Sequence, residues 1–288
     1  MNKQEFNKWF GEAKAFFANK GFIIEDSTLR QILAAKAKSH PLLIVGPTGT
    51  GKTHFLMLYA EFLKSKYFYE SLNGSMTIQD LTQERDLAED GRFVPKDLQL
   101  AKWLRAAQKG VSVLQLDEVN AARARTLLAL HPIMDIKGEL HLPYSDEVLP
   151  VTDNAVLVMS ANEGDEYQGT NDMNDAFINR YVKVYFNYLT GKKLSKLLSD
   201  RSGLPMDATD KVVNVWEKYM SSKSATSPVV SIRALERWCE QATLIGLRDA
   251  GIACFASLIA ENADQLIEIV EGQFFVNLPE DIPKELRR

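Results

Sequence analysis

The residues best suited to do chemistry stand together at 46–53, which read GPTGTGKT and satisfy the pattern G-x-x-x-x-G-K-[ST]. Such a run suits phosphate. Gly46, Gly49 and Gly51 let the main chain bend until its N–H groups converge on phosphate oxygens. A helix that follows adds its positive N-terminal end. Lys52 can reach β- and γ-phosphates, and the Thr53 hydroxyl can ligate Mg²⁺. Pro47, Thr48 and Thr50 lie between the glycines and His54 follows Thr53, so residues 46–54 are the expected phosphate-contacting segment. The competing reading is a glycine-rich turn. The fixed positions arise by chance in a chain this long on the order of once in a hundred at average residue usage.

A phosphate loop needs a metal-holding carboxylate on a neighbouring strand. VSVLQLDE at 111–118 offers Asp117 and Glu118 at the end of an apolar run. Mg²⁺ keeps several waters and takes few protein ligands, so Asp117 would hold it through that water shell. Glu118 then stands where it can polarise the water that attacks a γ-phosphate. The alternative is a carboxylate pair capping a strand end. Asn162 closes AVLVMSAN, and its amide could orient the same water, although asparagine also ends strands for turn reasons. Arg180 precedes the last strand in DAFINRYVKVYF. It either reaches a neighbouring subunit's nucleotide from the domain edge or is a surface arginine paired with Asp175. Arg233, at the start of SIRALERW, is the candidate basic residue from the C-terminal region. Arg237 lies one turn on, and a surface role is the alternative.

The elements that must position these residues alternate. Apolar residues at helical spacing predict a helix over 4–18, and Asp26-Ser27 is expected to cap a second helix. Short apolar runs predict strands at 41–45, 67–72, 111–117, 155–162 and 182–186, with helices near 52–64, 96–108 and 122–134 between them. That alternation argues for an α/β domain with a mainly parallel sheet. After residue 187 the strand signals stop, and 192–201, 208–222, 231–247 and 252–271 all read as helix. The expected division is therefore an α/β domain at 1–187 and a small helical domain at 188–288.

Composition bounds the answer. The 288 residues are 45% hydrophobic and 25% charged, with 34 Lys+Arg against 38 Asp+Glu and a net charge of −4. A general nucleic-acid binder usually carries a basic excess, so that class loses weight. Two cysteines, Cys239 and Cys254, argue against a disulfide scaffold or a Cys-rich zinc site, and the four histidines show no metal-ligand spacing. The longest uncharged apolar run, 251–260, is half the length that spans a bilayer. The N-terminus, charged and amphipathic, lacks a secretory core. A cytoplasmic protein is expected.

These elements, in this order, resemble an AAA+ ATPase of the dynein-related group that contains MoxR, CbbQ, NorQ, CobS and McrB. LDEVNAA resembles that group's L-D-E-I-N-R-A, with Ala121 in place of arginine. GRFVPKDLQLAKWLRAAQKG resembles the stretch between the helix-2 insert and the Asp-Glu strand. NEGDEYQGTNDMNDAFINRY resembles N-P-x-x-x-Y-x-G-T-x-x-L-N-x-A-x-x-D-R-F, with Glu163 and Asn179 departing from the pattern. The resemblance implies that Lys52, Thr53, Asp117 and Glu118 are Walker A and B groups, Asn162 sensor 1, Arg180 the arginine finger and Arg233 sensor 2. It further implies a P-loop NTPase sheet of order 5-1-4-3-2 with a helical lid, ATP with Mg²⁺, and a hexameric ring. Two insertions, near 75–93 and 136–153, would face that ring. Members often work with a von Willebrand A-type partner; no D-x-S-x-S metal site occurs here, so such a module would be on another chain.

The expected function is an oligomeric ATPase of MoxR-like chaperone type that remodels or activates a partner protein. The alternatives are a DNA-linked motor like McrB and an ATP-dependent switch. Residues 75–93 carry Asp80, Glu84, Asp86, Glu89 and Asp90 against Arg85 and Arg92. The second insertion carries Glu139, Asp146 and Glu147 against Lys137. Phosphate tracking needs Lys and Arg on the contacting surface, so these loops weigh against DNA.

Overall fold

Each of the five apolar runs forms a strand, and the strands pair side by side into one sheet. A computed structural model describes residues 1–135, 138–162, 177, 179–224, 226–272, 275 and 278. The chain divides into two compact units: residues 1–46 with 51–186, and residues 47–50 with 187–288.

The first unit opens with helices α1 (Lys3–Asn19) and α2 (Asp26–Ala37), followed by strand β1 (Leu42–Val45) and helix α3 (Lys52–Phe62). Strand β2 (Lys66–Ser71) leads into the short helix α4 (Gln79–Thr82) and the hairpin β3 (Gln83–Leu87) and β4 (Phe93–Asp97). Helix α5 (Gln99–Ala107) and strand β5 (Ser112–Asp117) come next. A 3₁₀ turn at Val119–Ala121 precedes the short helices α6 (Ala124–Leu128) and α7 (His131–Met134). A second hairpin, β6 (Glu139–His141) and β7 (Val148–Pro150), then gives way to strands β8 (Ala155–Ala161) and β9 (Val182–Tyr185).

The main sheet runs β2-β5-β8-β1-β9 with every neighbouring pair parallel. Numbered by its own strands from the β9 edge, the order is 5-1-4-3-2, as the resemblance implies. Side chains alternate between faces along each strand. Leu42, Ile44, Val113, Val156 and Val158 pack with residues of α1, α2 and α3 on one face. Leu43, Val45, Leu114, Leu116 and Met159 pack with α5 and the short helices on the other. Both faces are covered, which is why these strands read as continuous apolar runs.

Three expectations about helices need correction. The stretch 122–134 is not one helix. It breaks into two short helices, and Pro132, which has no N–H to donate, sits in the first turn of α7. The second helix starts at Asp26 without a side-chain cap, because the Asp26 carboxylate pairs instead with Lys14 Nζ at 2.7 Å. The third correction lies in the helical unit.

That unit contains α8 (Gly191–Ser202), α9 (Met206–Ser222), α10 (Ile232–Ile245), α11 (Leu247–Gly251), a π turn at Ile252–Ala256, α12 (Ser257–Ile259) and α13 (Ala263–Glu271). The expected helix over 252–271 is interrupted because Asn262 turns extended and accepts a hydrogen bond from the Gln265 amide at 2.9 Å, starting a new helix. Trp216 and Trp238 fill the core, and each buried indole N–H donates to a carbonyl, Val230 and Leu247 respectively, at 2.7 Å. Among the described residues no helix is long and apolar enough to cross a membrane.

Candidate functional site

The loop after β1 has the backbone that a phosphate cradle requires. Gly49 and Gly51 adopt φ of +81° and +85°, where a side chain would be strained. Gly46 is constrained differently: a Cβ there would lie 2.1 Å from the Phe186 carbonyl oxygen on the strand alongside. Lys52 opens α3, only 7% exposed, and its Nζ donates to the Gly46 carbonyl at 2.7 Å and to Asn162 Oδ1 at 2.9 Å. The ammonium is thus turned back toward the end of β1. Thr53 follows, half-buried in the first turn of α3, and His54 is exposed beside the Phe22 ring. Thr50 Oγ1 donates to the Pro47 carbonyl at 3.0 Å. Within the second unit the Thr48 carbonyl accepts from Tyr188 Oη at 2.8 Å.

Asp117 ends β5 beside Ser71 of β2. Its Oδ1 accepts from Ser160 Oγ at 2.6 Å and from the Glu118 amide at 3.0 Å, and its Oδ2 accepts from Tyr69 Oη at 3.2 Å. Burial and the neighbouring Asp117 charge raise the Tyr69 phenol above its ordinary pKa, so it stays a donor at neutral pH. Glu118 takes a left-handed conformation with φ +54°, uncommon for a side-chain-bearing residue. It is exposed, and Oε2 accepts from Ser71 Oγ at 3.4 Å. Asn162 is tied on both sides, through its Oδ1 to Lys52 and through its carbonyl to Asn120 Nδ2 at 3.0 Å. Lysine, sensor-position amide and the loop carrying Glu118 are therefore linked by direct hydrogen bonds.

Arg180 precedes β9, and its Nε donates to Asp135 Oδ1 at 2.7 Å. The expected alternative partner, Asp175, lies outside the described residues, as does Glu163. Three residues before Arg180, the buried Phe177 ring stacks on His131. Arg233 and Arg237 are both exposed on α10. Within the second unit, a Cβ on Gly49 would come 2.9 Å from Ser231 Cβ, so the start of α10 adjoins that part of the loop.

The two insertions are less acidic than their sequence count indicates. Lys96 pairs with Glu84 at 2.8 Å and lies 3.5 Å from Asp86, and Arg92 pairs with Asp90 at 2.6 Å. Arg105 binds Glu147 at 2.9 Å. Leu87 and Phe93, paired across the first hairpin, are exposed.

The described residues contain no group of three or more His, Cys, Asp or Glu placed to hold a metal. Thr53 and Asp117 offer instead the sparse donor set that suits a Mg²⁺ ion keeping most of its waters. The positive-φ glycines and the buried Lys52 fit a phosphate chain.

Comparison with known proteins agrees with this geometry. Residues 41–181 match the family described as the AAA domain of the dynein-related subfamily. An uncharacterized protein of Staphylococcus aureus strain bovine RF122 / ET3-1 is 25% identical over 213 residues, 73% of this chain and 80% of its own length. Another, from strain USA300, is 24% identical over the same span. The crystal structure of a presumed ATPase from Cytophaga hutchinsonii ATCC 33406 superposes with a TM-score of 0.52. That likeness covers 93% of this chain and 87% of the other at 15% identity, and it speaks to the fold. Sheet order, loop and family match together support an AAA+ ATPase domain over residues 41–181.

Proposed function

We propose that the chain is a Mg²⁺-dependent ATP hydrolase that uses turnover to remodel or activate a partner protein, in the manner of the MoxR-like group. Residues 1–187 serve as the nucleotide-binding domain and residues 188–288 as its helical lid. One observation carries the reading: the Lys52 ammonium of the glycine-loop motif is held by the Gly46 carbonyl and Asn162, with the Asp117–Glu118 pair at the end of another strand of the same sheet.

The roles follow from the positions. Main-chain N–H groups of residues 46–54 bind the phosphates, and Lys52 neutralises the β- and γ-phosphate charge. Thr53 and Asp117 hold Mg²⁺, which when bound neutralises charge on the phosphate oxygens. Glu118, exposed just past the end of β5, accepts the proton of the attacking water, and Asn162 orients that water. Arg180 acts on the nucleotide of a neighbouring copy and Arg233 on the nucleotide of its own chain. The working form is a homo-oligomer, a hexameric ring in this reading, in the cytoplasm. Its partner is a protein, either the substrate or a von Willebrand A-type module on another chain.

The direct test pairs ATP turnover with capture. Glu118→Gln should hold ATP without hydrolysing it and retain a partner protein that Lys52→Ala does not. ATP hydrolysis by Glu118→Gln at the wild-type rate would remove Glu118 from the mechanism, and nucleotide-independent capture would remove the remodelling role.

A further inference from the structure

The sheet face lined by Leu42, Ile44, Val113, Val156 and Val158 carries two fully buried polar side chains, Gln115 and Ser160. Period-two alternation sets both on that face with Asp117. A buried amide without partners is costly, so the bonds these two side chains make matter. The bonds form one line. Tyr67 Oη donates to Gln115 Oε1, Gln115 Nε2 donates to Ser160 Oγ at 2.9 Å, and Ser160 Oγ donates to Asp117 Oδ1 at 2.6 Å.

The direction of that line is fixed by its end. The single Ser160 proton points at the Asp117 carboxyl oxygen. Ser160 can then only accept from Gln115, which turns the amide NH₂ toward Ser160 and leaves the amide oxygen for Tyr67. Each bond polarises the next toward the carboxylate. Oδ1 of Asp117 is thereby committed to Ser160 and the Glu118 amide, while Oδ2 takes the longer bond from Tyr69. The carboxylate's terminal torsion is intrinsically broad, and these contacts from both flanking strands hold it in one orientation.

We infer that Ser160, oriented by Gln115, is a positioning residue that fixes the Asp117 carboxylate for a divalent cation. The inference rests on the reading of Asp117 as the Mg²⁺-side carboxylate. Hydrogen-bond partners behind a metal-binding group commonly govern metal affinity by 10–100-fold on removal.

The test uses the full chain and calorimetric titration of ADP, once with Mg²⁺ and once with EDTA. Ser160→Ala should keep the EDTA affinity and reduce the gain that Mg²⁺ confers by roughly 10–100-fold. The double variant Gln115→Leu/Ser160→Ala strands no donor on Gln115 and should show the same loss, which keeps the test open if the single variant folds poorly. Asp117→Asn is the reference. A lost Mg²⁺ gain in Asp117→Asn beside an intact one in folded Ser160→Ala overturns the role of Ser160 alone. An intact gain in Asp117→Asn overturns the reading of Asp117, and the inference with it.

Discussion

Lys52 shows how little freedom a single residue has in this site. The residue is 7% exposed and its ammonium donates to Gly46 and Asn162, so the charge that the phosphate reading requires is held in place by its neighbours. A charged hydrogen bond contributes about 1.5–3 kcal/mol, and tenfold in affinity corresponds to about 1.4 kcal/mol. Lys52→Ala should therefore weaken ATP·Mg²⁺ binding by roughly 10–100-fold or more, read by calorimetry; unchanged affinity would sink the phosphate-loop assignment. Glu118→Gln keeps the shape but cannot accept a proton. Binding should persist while turnover drops by about 10²–10⁴, the usual range for a general base. Gly46 tests the backbone instead of the charge. A methyl there would sit 2.1 Å from the Phe186 carbonyl oxygen, so loop or strand must move. Gly46→Ala should cost about 1–3 kcal/mol, as overpacked sites do, and lower the melting midpoint by several degrees in differential scanning calorimetry.

At the scale of elements, the strands were legible because burial on both faces leaves a mark: 42–45 is wholly apolar, and Val113, Leu114 and Leu116 mark 112–117. The phosphate loop was legible because its chemistry acts through neighbours in sequence. Ser160, Tyr69, Ser71 and Asp135 were not, since each meets its functional neighbour only through strand register or tertiary packing. The lone trace was Gln115, an amide inside the apolar run VSVLQLD. Helix breaks were missed for a local reason. Asn262 and Pro132 act through one hydrogen bond gained or one N–H lacking, and apolar periodicity runs straight across both. The cap at Asn262 is testable: Asn262→Ala should destabilise the helical unit by about 1 kcal/mol, measured by urea denaturation. The same unit buries Cys239 completely, and burial pushes its thiol up to about 12. Cys239 should resist a thiol-reactive disulfide reagent at pH 8 until denaturant is added, because the thiolate is the reacting species. Rapid labelling of the native protein at Cys239 would show that the core around Trp238 opens readily.

For the molecule as a whole, the decisive question is whether catalysis belongs to one chain or to an assembly, and Arg180 carries it. Its guanidinium is bound to Asp135 in the same chain at 2.7 Å. The pair is accessible, with side chains 30% and 50% exposed, and ion pairs of that kind contribute only about 0–1 kcal/mol. Asp135 therefore orients the arginine from within the same chain. Buried Phe177 anchors the chain just before it. If Arg180 works on a neighbour's nucleotide, specific activity should rise with protein concentration as subunits assemble. Arg180→Ala leaves Lys52, Asp117 and Glu118 in place, so it should bind ATP normally and lose turnover by about 10³ or more, the scale of arginine fingers in general. Mixing separates the possibilities. Arg180→Ala subunits have a working Glu118, and Glu118→Gln subunits have a working arginine. In a mixed ring some interfaces join the intact Glu118 of the first to the intact Arg180 of the second, so two nearly inactive proteins should recover part of the activity. Interfaces of the opposite kind carry both lesions and stay silent, which caps recovery below the wild-type rate. Mixed assemblies verified by mass spectrometry that regain nothing would mean that Arg180 serves its own chain or does not take part.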